Sequence, residues 1–318
     1  MVTTHDLARS TLAVATHRRL GPLLLFDGTI DEAADHCLDR IAIGAGCRVA
    51  TANLDFVALT RHDRQLRADL AASHLVVADG APVALLARLM GARRSRGRIA
   101  GVDLVRAVCD RAATSGLRIA LYGADPLTAH RARHWIEARW PQHDVVLVLN
   151  PPYRALSEEE RALEQAAIAE AAPELVLVAL GCPAQERRIA EYFHAAPGAA
   201  WIGVGGTLDF FGGRRRRAPR WMQRIGGEWL FRLGQEPGRL GQRYLLRDVP
   251  ALVQLLAWCA RGAAAPHKAT AGPAFNTPST ADAESDAQRG HPRTDGVTAG
   301  DDTAATQPGG MHPFTREA

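Results

Sequence analysis

Cysteine is scarce and scattered: Cys37, Cys47, Cys109, Cys182 and Cys259 are the five in 318 residues, and none forms a C-x-x-C pair. That spacing excludes a disulfide framework and a cysteine zinc site, and it fits a reducing cytoplasm. No apolar run approaches the roughly 20 residues that a membrane-spanning helix needs. The longest candidate, 249–260, is too short and contains Gln254. The N-terminal stretch MVTTHDLARSTLAVATHRRL has no long apolar segment of the signal-peptide type. Aromatic residues make up only 6% of the chain, and no nucleic-acid-binding module is visible, so nucleic acid is not an expected partner. Neither G-x-G-x-x-G nor a Walker A sequence occurs, which argues against a nicotinamide- or nucleotide-dependent oxidoreductase. No G-x-S-x-G nucleophile is present either. The folded part also lacks any Asp-x-Asp pair that could bridge a divalent metal to a diphosphate. Arginines and backbone amides would then have to carry phosphate charge. His130 and His134 stand at i, i+4, but Arg131 follows His130 and no third ligand suggests itself; the pair reads as an exposed helical face.

What is present is a regular alternation. Short apolar runs at 23–26, 48–52, 75–78, 118–122, 145–149, 175–180 and 200–204 read as strands, with helical patterns between them. Thr29 with Glu32, and Ser157 with Glu160, are capping-box signals. Residues 55–72 read as one amphipathic helix. This order predicts an α/β fold with a mostly parallel, Rossmann-like sheet and helices on both faces. Ligands of such sheets bind at the carboxyl ends of the strands. The expected organisation is a catalytic α/β domain over 1–210, a basic amphipathic appendage over 211–261 and a disordered tail over 262–318. The tail is rich in Ala, Gly, Pro, Thr and Asp and carries four Lys/Arg against seven Asp/Glu. The formal charge of +4 is therefore concentrated in the first 261 residues. Between 211 and 261 alone, eleven arginines face three acids.

Three constellations stand out. Asp79 follows the strand LVVA and precedes Gly80, which places it either as a base in the crevice or as the N-cap of the next helix. Gly203-x-Gly205-Gly206-x-x-Asp209 offers backbone N–H groups suited to anionic oxygens. The arginines 214–217 read as a solvated basic loop or a headgroup-binding run. Trp221, Ile225 and Trp229, spaced for one helical face, suit a membrane interface. Asp248 and Pro250 read as the N-cap and N1 of a last helix.

Taken together, the blocks TANLDFVALTRHD, VVADGAP, LYGADP, ALGCPAQE, GVGGTLDFFGG and WLFRLGQEPGRLGQRY resemble the WecG/TagA/CpsF family of bacterial glycosyltransferases, from about Leu24 to Leu246. The resemblance implies metal-independent, inverting transfer of a hexose or N-acetylhexosamine, or its uronic acid, from a UDP-sugar. The acceptor would be a polyprenyl-diphosphate-linked saccharide at the cytoplasmic face of the inner membrane, in exopolysaccharide or surface-glycan synthesis. No cofactor is implied. It makes Asp79 the general base. Arg98 takes the role of the arginine after the D-G helix, with Arg96 the alternative because GARRSRGR is one residue longer than usual. Arg232, Arg239 and Arg243 would serve the diphosphate. Thr51, Asn53, Gly80, Gln185, Glu186, Gly205, Gly206 and Asp209 would line the substrate pocket, and the arginine run 214–217 is left to lipid headgroups. An anionic membrane surface is the expected partner, homo-oligomerisation stays open, and a non-catalytic membrane-surface scaffold is the alternative function.

Overall fold

The computed structural model describes residues 15–92, 94, 97–262 and 270–271. The expected disordered tail lies outside the described residues except for Gly262 and 270–271, and so does Arg96. A hairpin of β1 (Thr16–Leu20) and β2 (Leu23–Phe26) turns through Gly21 and Pro22. Helix α1 (Ile30–Ala42) starts at Thr29, where both halves of the capping box with Glu32 are formed. The chain continues through β3 (Cys47–Ala52), α2 (Leu54–Leu59), α3 (Arg64–Ala71), β4 (Leu75–Ala78), α4 (Ala81–Leu89) and α5 (Gly101–Arg111). Then follow β5 (Arg118–Gly123), α6 (Pro126–Arg139), β6 (Asp144–Leu149), α7 (Glu158–Ala171), β7 (Leu175–Ala179), α8 (Ala184–Tyr192) and β8 (Ala200–Gly203). The C-terminal part holds α9 (Thr207–Phe211), α10 (Arg220–Arg224), α11 (Glu228–Gln235), α12 (Pro237–Arg243), a π-helical turn (Tyr244–Asp248) and α13 (Val249–Gly262).

Six strands form one parallel sheet in the order β4-β3-β8-β7-β5-β6. Their sequences are almost continuously apolar because both faces are covered. Val49, Val77, Leu121, Leu177 and Ile202 face a core closed by α1, α5 and α6. Ala50, Val76 and Ala78 face a second core closed by the hairpin, α2, α3, α4 and α13, while Tyr122, Val178 and Trp201 pack on α7 and α8. The expected α/β class is therefore found, with one correction. The run 23–26 belongs to the antiparallel hairpin and not to the parallel sheet, and it pairs with a strand, THRRL, that two adjacent arginines disguise as a loop. Thr270–Ala271 pair with the outer edge of β1.

Three further local expectations change. The 55–72 helix is broken at Thr60–Asp63, where Asp63 accepts the Leu66 N–H and begins α3 anew. Trp221, Ile225 and Trp229 do not share a helix, because Gly226, at φ +76°, turns the chain between α10 and α11. Asp248 caps nothing: helical hydrogen bonding runs unbroken from Pro237 to Gly262 through the π-helical turn. Pro250 has no N–H to offer the carbonyl four residues back and its ring crowds that turn, and a locally widened helix accommodates both defects. Ala251 and Leu255 of α13 are buried against Leu20, Leu23 and Val83, so this helix is rooted in the core.

Candidate active site

The loops that follow the strands converge on one cavity of about 670 Å³. Its wall includes residues after β3, β4, β7 and β8, closed from the other side by α11, α12 and the π-helical turn. Asp79, Arg98, Arg232, Arg239, Arg243, Thr51, Asn53, Gly80, Gln185, Gly205, Gly206 and Asp209 all line it. Of the described residues expected to act on or line the substrate pocket, only Glu186 does not. It points beneath the sheet, toward Arg48, Asp69 and Ser73, because its position on α8 is one residue, about 100°, away from that of Gln185.

Each lining residue has a local reason for its place. Asp79 ends the run of β4, and its N–H donates to the Ala52 carbonyl of the neighbouring strand. The N-cap of α4 is Gly80 and receives no side-chain hydrogen bond, so Asp79 is not the helix cap that general preferences suggest. Its carboxylate accepts no hydrogen bond from the described residues. Burial raises its pKa from 3.8 to about 6, against the opposing pull of Arg98 and Arg232, with Glu228 and Asp103 adding to the rise. Gly80 leaves room for Asn53, whose Cβ would stand 3.2 Å from an added methyl. Asn53 itself caps α2 by accepting the Asp55 N–H. Thr51 donates its hydroxyl to the Gly203 carbonyl at 2.7 Å, which ties β3 to β8 at the cavity floor. Gln185 accepts the Gly205 N–H and donates to Glu186 at 2.7 Å. Glu186 is buried, which pushes its carboxyl up to about 7.

The basic side of the cavity is built of arginines that mostly have partners. Arg98 meets Glu228 at 2.6 Å. Arg215 spans Asp209 at 3.1 Å and Glu236 at 2.6 Å. Arg214 pairs with Asp125 at 2.9 Å, and Arg239 pairs with Glu236. Arg243 reaches Asp248 at 3.6 Å and Asp55 at 3.9 Å. Burial raises the Asp209 carboxyl pKa in spite of Arg215 and Arg214. Arg232 alone among the cavity's arginines forms no ion pair with a described residue, and its Nη2 lies 3.6 Å from where a side chain on Gly206 would begin.

The arginine run is thus corrected. Arg214 and Arg215 line the cavity, and Arg217 clasps Asp103 through both guanidinium nitrogens. A run of like charges does not say which side chains turn inward; buried acids on other elements decide that. The same holds for Asp55, Glu228 and Asp248, which line the cavity; the sequence does not single out the first two, and in it Asp248 reads only as a helix cap. The composition does carry a signal: eleven arginines and only three acids over 211–261 require carboxylates elsewhere to receive them.

Among the described residues, no group of three or more His, Cys, Asp or Glu side chains could hold a metal ion, and no helix is long and apolar enough to cross a membrane. Large apolar side chains nevertheless face outward on the C-terminal helices: Trp221 is 61% exposed, Ile225 74% and Leu245 71%.

A family profile described as the Glycosyl transferase WecG/TagA/CpsF family matches residues 22–265. The chain is 34% identical over 210 residues to the N-acetylglucosaminyldiphosphoundecaprenol N-acetyl-beta-D-mannosaminyltransferase of Bacillus subtilis (strain 168), covering 66% of this chain and 78% of that one. It is 29% identical over 222 residues to the protein of the same name from Bacillus spizizenii (strain ATCC 23059 / NRRL B-14472 / W23), covering 70% and 83%.

Proposed function

The chain belongs to the WecG/TagA/CpsF glycosyl transferase family, and from that premise we propose that it moves a hexose or N-acetylhexosamine from a UDP-sugar to a polyprenyl-diphosphate-linked saccharide, without a metal and with inversion. The names of the two Bacillus relatives make N-acetylmannosamine the first donor sugar to try, and a lipid-diphosphate-linked N-acetylglucosamine the first acceptor. Membership in a transferase family sets aside the scaffold alternative.

One observation carries the reading: Asp79 and Arg232 line the same cavity, and among the described residues the Asp79 carboxylate has no hydrogen-bonding partner and the Arg232 guanidinium no ion-pair partner. Inverting transfer needs both. The acceptor oxygen attacks the anomeric carbon as the bond to the UDP oxygen breaks, and UDP leaves with the bonding electrons. Asp79 takes the acceptor hydroxyl proton, for which a pKa near the working pH is well matched. Arg232, with Arg239 and Arg243 around it, stabilises the charge that gathers on the departing diphosphate. Gly206 brings its backbone to the same wall, in a turn that the Gly205 N–H fixes by donating to Gln185.

The apolar side chains exposed on α10, α11 and the π-helical turn support peripheral association with the cytoplasmic face of the membrane that holds the acceptor. Release of UDP from a panel of UDP-sugars, with an N-acetylglucosaminyl-diphosphate lipid analogue as acceptor and with EDTA present, tests the reading. Turnover undiminished by EDTA is expected. No UDP release with any donor overturns the transferase reading, and loss of turnover on chelation overturns metal independence.

A further inference from the structure

The C-terminal helices bring more than arginines to the cavity. Glu228, the first residue of α11, is 5% exposed and meets Arg98 at 2.6 Å. Its other oxygen stands 3.9 Å from Arg217, which in turn holds Asp103 of α5 through two nitrogens. The four charges, two of each sign, form a mostly buried chain that crosses from the loop before α5 to α11.

Arg98 and Asp79 are neighbours by backbone design. The Ile99 N–H donates to the Ala78 carbonyl at 2.9 Å, which seats Arg98 against the strand end that Asp79 continues. Glu228 is seated with equal closeness. An added side chain on Gly226 would begin 3.0 Å from the Cβ of Ala81, so the turn before α11 lies directly on the first residue of α4. Nothing bulkier than glycine allows that approach, and Gly226 also holds φ at +76°.

An arginine beside a base is a liability when left alone. Its long side chain is free to swing, and a direct contact with the carboxylate would neutralise the base. A carboxylate on the far side of the guanidinium fixes the arginine and draws it away. We propose that Glu228 is a positioning residue: α11 carries it in to hold Arg98 beside Asp79, so that packing of the C-terminal helices assembles the base's surroundings and does not merely cover them. This inference rests on the reading of Asp79 as the base. The charged groups that act on Asp79 are Arg98 from the loop before α5, Asp103 from α5, Glu228 and Arg232 from α11, and Arg217 from the segment before α10. Removing the Glu228 charge takes away one of the two acids and leaves all three arginines.

The test uses the full-length protein with Glu228→Gln and Glu228→Asp. Aspartate carboxyls are labelled with carbon-13, the Asp79 signal is assigned by its loss in Asp79→Asn, and its titration is followed by NMR beside UDP release. In Glu228→Gln the Asp79 midpoint moves downward from about 6, and kcat falls about tenfold or more while the KM for donor stays within about twofold. Glu228→Asp keeps the charge but shortens the reach, so Arg98 is freed toward Asp79: the midpoint moves downward by less than in Glu228→Gln, and kcat falls. An unchanged midpoint together with unchanged kcat in Glu228→Gln overturns the proposal. If Glu228→Gln does not fold, a wild-type kcat in Glu228→Asp overturns it instead. A wild-type protein that releases no UDP would refute the transferase reading, whereas the titration would still decide what Glu228 does to Asp79.

Discussion

Gln185 accepts the N–H of Gly205 at 3.1 Å, so a side chain from α8 holds the turn that leaves β8 and enters the cavity. The other end of the same amide donates to the buried Glu186. Glu186, which stands apart from the cavity, therefore fixes which way the Gln185 amide faces. Gln185→Leu leaves the Gly205 N–H without its acceptor and is expected to raise the donor KM about tenfold. Glu186→Gln still presents an acceptor to Gln185 and is expected to keep KM near wild type, whereas Glu186→Ala should behave like Gln185→Leu. Steady-state kinetics with the donor varied separates these outcomes. Equal KM values in all three variants would show that the turn does not depend on Gln185.

Asp79 links activity and stability through one proton. Its folded pKa lies above the ordinary carboxyl value, at about 6, so the folded state holds the proton more tightly than the unfolded state does. The ionised group therefore costs stability above about pH 6, and that cost vanishes below the ordinary value of 3.8, where both states are protonated. Asp79→Asn should abolish most turnover yet raise the unfolding free energy at pH 8 by on the order of 1–3 kcal/mol, with no gain near pH 3.5. In the wild type, kcat/KM should fall tenfold per pH unit below about 6 as the base is protonated. Denaturation curves at the two pH values, and a pH–rate profile, check both halves. A variant that is less stable than wild type at pH 8 would contradict the first.

Arg232 and Arg215 make a controlled pair. Both line the cavity, but Arg215 bridges Asp209 and Glu236 while Arg232 bridges nothing among the described residues. Arg232→Ala should lower kcat/KM for the UDP-sugar by roughly 10²–10³-fold and barely change Tm. Arg215→Ala removes the cation that two partly buried carboxylates share, leaving Asp209 only Arg214 at 3.8 Å and Glu236 only Arg239, and should lower Tm by several degrees besides reducing activity. Thermal melts beside kinetics decide the matter, and equal Tm losses would contradict the assignment.

Ile225 and Leu245 face outward from different helices, 74% and 71% exposed. Ile225→Glu together with Leu245→Glu should abolish co-flotation with vesicles containing anionic phospholipid. Turnover with a short, water-soluble acceptor analogue should remain. Flotation equal to wild type would show that this face does not meet the membrane.

Much of the frame was legible in the sequence, and the reason is physical. Runs such as LVVA and LVLVA bury both faces, so no alternation is needed to recognise them. The Ser157–Glu160 capping box is local chemistry that no tertiary contact overrides. The strand β1 was hidden because Arg18 and Arg19 interrupt its pattern, and β2 then lost its proper partner. The cavity's glycines and polar residues were found through short motifs. The acids that organise its arginines were not, because Asp55, Asp103 and Glu228 meet guanidinium groups far away in sequence. Charge pairing at that range leaves no periodic trace.

The unbroken helix from Pro237 to Gly262 has a mechanical consequence. At 1.5 Å per residue it is a rod of roughly 40 Å, held in the core at Leu255 and again at the buried Leu240, which lies between Arg239 and Arg243. Leu245 and Leu246 stand on its outer side. Those leucines sit in the π-helical turn itself, so a force on them acts where the rod yields most easily and within one helical turn of Arg243. In the membrane-associated transferase proposed above, the depth at which these leucines enter the surface sets the spacing between Arg243 and the departing diphosphate.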